Sequence, residues 1–184
     1  MGTKHLQPLY QAIRRQQVLR LHYRKFGAPE ADERIVHPFV LKEYNHRWFL
    51  LARDQDFASV STFALDRIVS FEPDSRTYRA EGLNPTDFFS EVIGATVPAV
   101  AAEEIRLLFR SGRGEYVLTK KLHHSQLEIS RTGEELEISL RLRINRELET
   151  VLLGFGEDVE VLAPSSLRER IKQRLQRAAG LYFS

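Results

Sequence analysis

The sequence contains no cysteine in its 184 residues. This absence excludes disulfides, thiol nucleophiles and thiolate metal ligands from the chemistry of the chain. No apolar run approaches the roughly 20 residues that a helix needs to span a bilayer, so we expect no membrane partner. The amino-terminal residues also lack the charged and then apolar pattern of a secretory signal, which predicts a cytoplasmic protein.

The sequence also has no large excess of positive or negative residues. The formal net charge is +2, and 28% charged and 42% apolar residues are ordinary for a globular protein. The net charge of the whole protein therefore gives no indication of nucleic-acid binding. The cations form local clusters instead: Arg14, Arg15, Arg20, Arg24, Lys25, Lys120, Lys121, Arg168, Arg170, Lys172, Arg174 and Arg177.

The familiar enzyme signatures are missing. The adjacent His123 and His124 lack the i, i+4 spacing and the acidic base of a zinc protease motif. The Gly112-Arg113-Gly114 segment lacks the rest of a P-loop or a dinucleotide fingerprint, and there is no nucleophile elbow. We therefore predict that the protein is not an enzyme and has no metal site and no cofactor.

Hydrophobic spacing predicts one helix and then five short strands in the first half. Leu6, Leu9 and Ile13 repeat at helical spacing, whereas from Val18 onward the period changes to two. Further strands are predicted over residues 34–41, 47–53, 59–65 and 68–72. Closely spaced short strands favour a small, strongly bent barrel, in which Pro38 marks an edge or a bulge.

The second half shows a different order of elements. The patterns predict a strand over 105–110, a helix over 115–122, strands over 126–131 and 136–144, a helix over 146–153 and a strand over 158–162. That β-α-β-β-α-β order is typical of a ferredoxin-like domain. A last helix begins with a capping-box pattern at Ser166 and ends near Gly180. The fold class is α+β, with predicted domains 1–94 and 105–184 and a linker at 95–104.

Two neighbouring strands carry the most informative residues, because they combine aromatic rings with arginines. Alternation places Arg47, Phe49 and Arg53 on one face of the strand at 47–53, and Trp48 and Leu50 on the opposite, core-facing side. Rings can stack on a planar group while guanidinium groups bind phosphate bidentately. This face is therefore predicted to be a binding surface.

Several of these residues also have simple structural explanations. Trp48 is expected to be a core residue, and Arg67 could equally form a salt bridge with Asp66, Asp54 or Asp56. Arg34 and His37 lie on opposite faces by strict alternation, so both can join one site only if Pro38 marks a bulge. The cations of the last helix, like Arg20, are expected to face water.

A set of ordered segments resembles a known family. These are Leu21-His22-Tyr23, the segment 34–38, Trp48-Phe49-Leu50, the segment 62–68 that ends in Asp66-Arg67-Ile68, and, in the second half, 159–164 with the following helix and Leu181-Tyr182. Together they resemble a WYL domain followed by its C-terminal extension, WCX. Phe49 stands where the family has the tyrosine of its name-giving motif.

The resemblance implies an Sm-like or SH3-like barrel that senses a ligand in bacterial transcription regulators, with single-stranded nucleic acid or a nucleotide as the favoured effector. It also implies a homodimer, in which the extension contacts the partner protomer. Regulators of this type bind DNA through a helix-turn-helix that precedes the barrel. Too few residues precede the predicted barrel here to hold one, so we expect DNA contact through a helix-turn-helix that is not present in this chain.

We accordingly predict one ligand-binding surface on the barrel, with supporting motif residues beside it. The ligand-binding set is Arg24, Arg34, His37, Phe49, Arg53, Thr62 and Arg67. The supporting set is Tyr23, Trp48, Leu50 and Asp66. Two alternatives remain: a ligand-free dimerisation or interaction module whose arginines form only internal salt bridges, and, less favoured, a nuclease or phosphotransferase that uses His22 or His37.

Overall fold

The computed structural model describes residues 2–55, 59–78 and 84–183. The chain divides into two compact units, Met1–Phe88 and Phe89–Ser184. Each unit contains one antiparallel sheet together with helices, which confirms the predicted α+β class. Across the described ranges, no helix is long and apolar enough to cross a bilayer. The predicted domain bounds of 1–94, 95–104 and 105–184 stay a prediction.

The first unit consists of one helix and a five-stranded sheet. Its elements are α1 (Leu6–Arg14), β1 (Gln17–Tyr23), β2 (Asp32–Tyr44), β3 (Arg47–Asp54), β4 (Ser59–Ala64) and β5 (Ile68–Thr77), with a short 3-10 helix (Leu65–Arg67) before β5. The strand order is β4-β3-β2-β1-β5. Within residues 2–55 and 59–78, β4 and β5 are the two edges, and no ladder between them closes the sheet into a barrel.

Strand β2 is irregular at its proline, as the sequence predicted. The register with β3 shifts between Pro38 and Val40, so Phe39 is the extra residue of a β-bulge. The bulge lies beyond both Arg34 and His37 in the chain. It therefore leaves the alternation between these two residues unbroken and does not bring them to one face.

The core of the first unit lies between α1 and the sheet. Leu9 of α1, Leu19 and Leu21 of β1 and Leu50 of β3 are all 0% exposed, and Trp48 packs against this cluster. Full burial of one such side chain contributes about 1.5–3 kcal/mol to folding. The spacing of apolar residues in α1 and the alternation in β1 and β3 place these side chains on the faces that pack against each other.

The second unit follows the predicted order of strands and helices. Its elements are α2 (Pro85–Phe89), which begins before the division between units, β6 (Glu103–Phe109), α3 (Gly114–Thr119), β7 (Leu127–Thr132), β8 (Glu135–Leu142), α4 (Arg146–Leu153), β9 (Val159–Ala163) and α5 (Ser165–Gly180). The strand order is β7-β8-β6-β9. Phe109 of β6 is fully buried and contacts the ring of Phe155 edge-on.

Helix α5 departs from its predicted capping box. The helix begins at Ser165 after Pro164, and no side chain at the N-cap accepts a hydrogen bond, so the capping-box prediction was wrong. Its cations mostly pair within the second unit. Arg170 and Arg174 contact the buried carboxylate of Glu149, and Arg168 contacts Glu160. These pairs fix α5 beside α4 and β9 and leave little free positive charge on its flank.

His123 and His124 lie in a turn after α3, since that helix ends at Thr119 and not at the predicted residue 122. Their ring centroids are 4.0 Å apart. Burial, with a smaller contribution from His124, lowers the pKa of His123 to about 4. A histidine with a depressed pKa stays neutral in the folded protein while its unfolded counterpart takes up a proton.

This difference predicts that the stability of the second unit falls with falling pH. The unfolded chain binds the proton first as pH drops below about 6.5, so the free energy of unfolding should decline from there toward pH 4. Urea unfolding followed by far-UV circular dichroism, at a series of pH values, measures this slope. His123→Gln should have a shallower slope than the native chain, and equal slopes would contradict the prediction.

Candidate functional site

The last strand residues of β1 are fixed beside the 3-10 helix that precedes β5. The hydroxyl of Tyr23 accepts a hydrogen bond from the backbone N–H of Ala64 at 3.2 Å, and its ring contacts Phe63 edge-on. The backbone N–H of Arg24 donates to the carbonyl of Arg67 at 3.1 Å. Leu65 is fully buried and anchors the 3-10 helix. Two arginines that are distant in sequence are thereby held next to each other.

A turn after β1 adds an aromatic ring to this pair. The N–H of Ala28 donates to the carbonyl of Lys25, and Gly27 has a φ of 74°, a conformation that favours glycine. The turn leaves Phe26 74% exposed. The guanidinium carbon of Arg67 lies 3.6 Å from the centroid of the Phe26 ring, which is close cation–π geometry.

These side chains border an open cleft of about 480 Å³, which we call the arginine cleft. Its lining residues are Lys4, Arg24, Lys25, Phe26, Gly27, Ala28, Asp66, Arg67, Ile68 and Val69. Clefts of roughly 300–1,000 Å³ hold small ligands in proteins. The arginine cleft is therefore large enough for a nucleotide-sized group.

The arginine cleft has an excess of positive charge. Its carboxylate, Asp66, contacts Arg47 at 3.3 Å. Lys25 contacts Asp32 at 3.7 Å, but both side chains are more than half exposed, so this pair contributes little. In the part of the chain that the structure describes, Arg24 and Arg67 have no ion pair, and the buried Nε of Arg67 has no hydrogen-bond partner. An anion that accepted this hydrogen bond would satisfy a buried donor.

A second group of rings and arginines lies at the other end of β3. We call it the ring cluster, and its residues are His37, Phe39, Arg53, Arg76 and Tyr78. The ring of Tyr78 stacks on His37 at 5.1 Å and meets Phe39 edge-on at 5.7 Å. Arg53 lies over Phe39 at 5.9 Å. The bulge in β2 explains this contact, because it turns Phe39 out of the regular ladder.

The two arginines of the ring cluster differ in whether a carboxylate contacts them. Arg76 binds Asp74 through hydrogen bonds that hold the pKa of that carboxyl well below its usual range. Burial, followed by the charges of Arg53 and Arg76, lowers the pKa of His37, which keeps its ring neutral. Within the described residues Arg53 has no carboxylate partner. Arg53 is thus the cation of the ring cluster that remains available to an anion.

The buried phenol of Tyr78 supports the ring cluster from below. Its hydroxyl donates a hydrogen bond to the carbonyl oxygen of Pro38, beside the bulge. Burial raises the pKa of Tyr78 to about 12, so the phenol stays protonated and keeps donating. The stacked His37 and the edge-on Phe39 are therefore held on a fixed base.

The structure does not bring the predicted ligand-binding residues into one place. Arg24 and Arg67 border the arginine cleft, whereas His37 and Arg53 belong to the ring cluster. Arg47, which contacts Asp66 of the cleft, and Arg53 are six residues apart on β3, a separation of about 20 Å. The geometry therefore does not support a single recess that contains both Arg53 and Arg67.

The other predicted residues lie elsewhere on the sheet. Arg34 is mostly buried and contacts Asp32 at 3.5 Å and Asp54 at 3.6 Å, so internal carboxylates balance its charge. Phe49 is half-buried between Lys42 of β2 and Ala64 of β4, and Thr62 is half-buried opposite Leu51. We do not place these three residues in either site.

Internal carboxylates also contact the polar residues of β1. Arg20 contacts Glu33 and Asp74, and His22 contacts Glu33. Of the predicted partners of Arg67, Asp56 lies outside the described residues, Asp54 contacts Arg34, and Asp66 contacts Arg47. Arg24, which follows β1, borders the cleft together with Lys25.

Sequence reasoning missed Phe26, Lys4, Phe39 and Tyr78 as contributors. Phe26 could have been found from its position between Lys25 and Gly27, since glycine marks a turn and turns lie at the surface. No sequence pattern indicated Lys4, because only the packing of the amino-terminal segment places it at the cleft. Across residues 2–55, 59–78 and 84–183, no three metal-binding side chains come together as a set of metal ligands.

Both units match known domain families. The WYL domain family matches residues 4–73, and the WCX domain family matches residues 101–179. The chain is 27% identical over 177 residues to Protein PafB of Mycobacterium tuberculosis and, equally, to Protein PafB of Mycobacterium bovis. These matches cover 94% of this chain and 52% of each relative, so the chain spans about half the length of the curated relatives it matches.

Two solved structures are similar to the chain, and the first of them supports the fold. A CRISPR Cas-related protein is similar with a TM-score of 0.58 and 12% identity, over 96% of this chain and 50% of that protein. The proteasome accessory factor B/C of Arthrobacter aurescens is 23% identical, with a TM-score of 0.41, over 100% of this chain and 28% of its own. With both domain families present in order, the chain belongs to the proteins in which a WYL domain is followed by a WCX domain.

Proposed function

We propose that this chain is the effector-sensing and dimerisation region of a transcription regulator, and that the arginine cleft binds a phosphate-bearing effector. The favoured effector is a nucleotide or single-stranded nucleic acid. DNA contact by the regulator would come from a separate helix-turn-helix. An Sm-like barrel for the first unit, a ferredoxin-like fold for the second, homodimerisation through the second unit and a cytoplasmic location are parts of the same proposal.

One observation carries this proposal: Arg67 stacks on the exposed ring of Phe26 while its buried Nε lacks a partner within the described residues. Burial of a guanidinium nitrogen without a hydrogen bond costs free energy, which an anionic ligand would recover. The exposed face of a ring, with Arg24 beside it, suits a base and its phosphate together.

The expected affinity follows from the same contacts. A charge-assisted hydrogen bond contributes about 1.5–3 kcal/mol, and a stacked base contributes about 1–3 kcal/mol. Two such bonds and one stack sum to about 4–9 kcal/mol, and about 8 kcal/mol corresponds to about micromolar affinity before the costs of association. Moderate, salt-sensitive binding of this kind suits a reversible sensor.

Arg67→Ala should weaken binding of a fluorescently labelled thymidine oligonucleotide by about tenfold or more, because it removes a charge-assisted contact. The slope of log affinity against log salt should also become shallower by about 1. Fluorescence anisotropy titrations at several salt concentrations measure both quantities. Arg24→Ala should shift affinity and slope in the same direction.

Arg20→Ala is the matched control. Arg20 is an exposed arginine of the same sheet whose contacts with Glu33 and Asp74 already balance its charge, so its loss should leave affinity nearly unchanged. Native affinity in both Arg67→Ala and Arg24→Ala would refute the proposal. Equal weakening in all three variants would indicate only non-specific attraction to a cationic protein.

The alternative, an interaction module without a ligand, is favoured by exposed apolar residues in the second unit. Leu127 and Ile129 of the edge strand β7 are 65% and 48% exposed, and Leu181, Tyr182 and Phe183 are 80–90% exposed. Exposed apolar patches of this kind commonly mark contacts with another protein. The absence of any oligonucleotide or nucleotide binding in the titrations would favour this alternative.

A further inference from the structure

We infer that Lys4 is a ligand-binding residue of the arginine cleft, and that the amino-terminal segment Gly2–His5, which carries it, is coupled to ligand binding. This inference rests on the proposed function of the arginine cleft. Its starting point is the position of Lys4, which is exposed and borders the cleft together with Arg67. Within the described residues Lys4 has no ion pair, so its charge is available to an anion.

The first anchor of this segment is the buried side chain of His5. Its Nε2 donates a hydrogen bond to the carbonyl oxygen of Ile68 at 3.1 Å, and its ring contacts Phe71 edge-on at 5.7 Å. Ile68 directly follows Arg67 and also borders the cleft. The residue next to Lys4 is therefore fixed to the residue next to Arg67.

The second anchor is the close approach of Gly2 to the 3-10 helix that precedes β5. Gly2 has a φ of 78°, a conformation that favours glycine. A Cβ atom at this position would lie 2.6 Å from the backbone nitrogen of Asp66 and 2.6 Å from the carbonyl carbon of Leu65, so no side chain fits unless the 3-10 helix moves. The N–H of His5 donates to the carbonyl of Gly2 at 3.0 Å, which joins the two anchors.

The two anchors couple the segment to the cleft, because both contact the backbone of residues 65–68 and residues 66–68 border the cleft. A ligand that fixes Arg67 also fixes the residues that hold the segment, and a segment held in place presents Lys4 to the ligand. Such coupling is reciprocal: what the segment adds to the affinity for the ligand, the ligand adds to the stability of the segment. Occupancy of the cleft therefore stabilises the amino-terminal end of the first unit.

Lys4→Ala should weaken binding of the labelled thymidine oligonucleotide by about fivefold or more, and should make the salt slope shallower by about 1. His5→Ala should weaken binding as well, although His5 is a positioning residue, because the segment loses its anchor. His5→Gln should bind almost as the native chain does, since its amide can still donate to the carbonyl of Ile68. Arg14→Ala, which removes an exposed cation at the other end of α1, is the matched control and should keep native affinity.

Hydrogen exchange measured by mass spectrometry tests the reciprocal effect. Saturating oligonucleotide should slow exchange in the peptide that covers residues 2–10 by about fivefold or more. The slowing should be smaller in His5→Ala and close to native in His5→Gln. The peptide that covers β7, whose residues are all exposed and belong to the second unit, should exchange at the same rate with and without the oligonucleotide.

The outcomes separate this inference from the proposal on which it rests. Native affinity in Lys4→Ala, or unchanged exchange over residues 2–10, overturns the inference while the arginine cleft stands if Arg67→Ala still weakens binding. Native affinity in both Arg67→Ala and Arg24→Ala overturns the cleft itself. Equal weakening in Lys4→Ala and Arg14→Ala would show an effect of general charge and would also overturn the inference. Should His5→Ala fail to fold, Lys4→Ala and the exchange of the native chain decide the matter, because Lys4 is exposed and its truncation leaves the core intact.

Discussion

Leu21→Ala is expected to lower the free energy of unfolding of the first unit by about 3–5 kcal/mol. Leu21 is 0% exposed and belongs to the core cluster that α1 and the sheet share. Removal of a buried leucine side chain costs its transfer free energy and leaves a cavity, and the cost is largest where neighbours cannot collapse. Leu21 pairs with both Arg34 of β2 and Phe71 of β5, so its backbone has little freedom to move.

The measurement is simple because Trp48 is the one tryptophan of the sequence and packs against the same cluster. Its fluorescence during urea unfolding therefore reports on the first unit. Leu127→Ala, which truncates a leucine that is 65% exposed in the second unit, should leave this transition within about 0.5 kcal/mol. A similar small effect for Leu21→Ala would mean that the core is not packed as described.

Most of the fold could be predicted from periodicity. The change from helical spacing in α1 to a period of two in β1 reflects burial on one face, which is a local property of the sequence. The position of the bulge followed from Pro38, because proline cannot donate in a central ladder. The length of α3 could not be predicted in this way, since Lys120 and Lys121 do not by themselves end a helix.

The candidate site was less predictable, because it depends on which charges neutralise each other. Alternation correctly assigns faces within one strand, but it does not tell which carboxylate meets which arginine. Arg34 and Arg67 looked equivalent in the sequence, yet Arg34 contacts two aspartates while Arg67 stacks on Phe26. Such pairings depend on register and on turns between strands, which single-sequence patterns specify weakly.

The same reasoning explains why the predicted surface divides into two. Arg53 and Arg67 are both near the ends of strands, and a sequence pattern places them close together because the segments are adjacent in the chain. In the antiparallel hairpin of β3 and β4, however, Arg53 is near the connecting loop, while Arg67 follows the far end of β4. A hairpin places such residues at opposite ends by its geometry.

Asn145→Ala should destabilise the second unit by about 3 kcal/mol, because one buried amide makes three hydrogen bonds. Its oxygen caps α4 by accepting from the N–H of Leu148 at 2.8 Å, and its nitrogen donates to the carbonyls of Ile93 and Thr96, both at 2.8 Å. Loss of an N-cap costs about 1 kcal/mol, and each buried carbonyl left without a donor adds about 1 kcal/mol or more. Far-UV circular dichroism during urea unfolding measures the change.

Asn145→Ser separates the two roles of the side chain. Serine can still cap the helix, but it cannot donate to two carbonyls at once, so this variant should recover only about 1 kcal/mol relative to Asn145→Ala. Glu147 accepts hydrogen bonds from the N–H and hydroxyl of Thr96, so it should hold part of the segment in both variants. Equal stability of the serine variant and the native chain would mean that the two carbonyls find other donors. Equal loss in the serine and alanine variants would instead locate the whole effect in the amide nitrogen, and thus in the attachment of residues 93–96 to the start of α4.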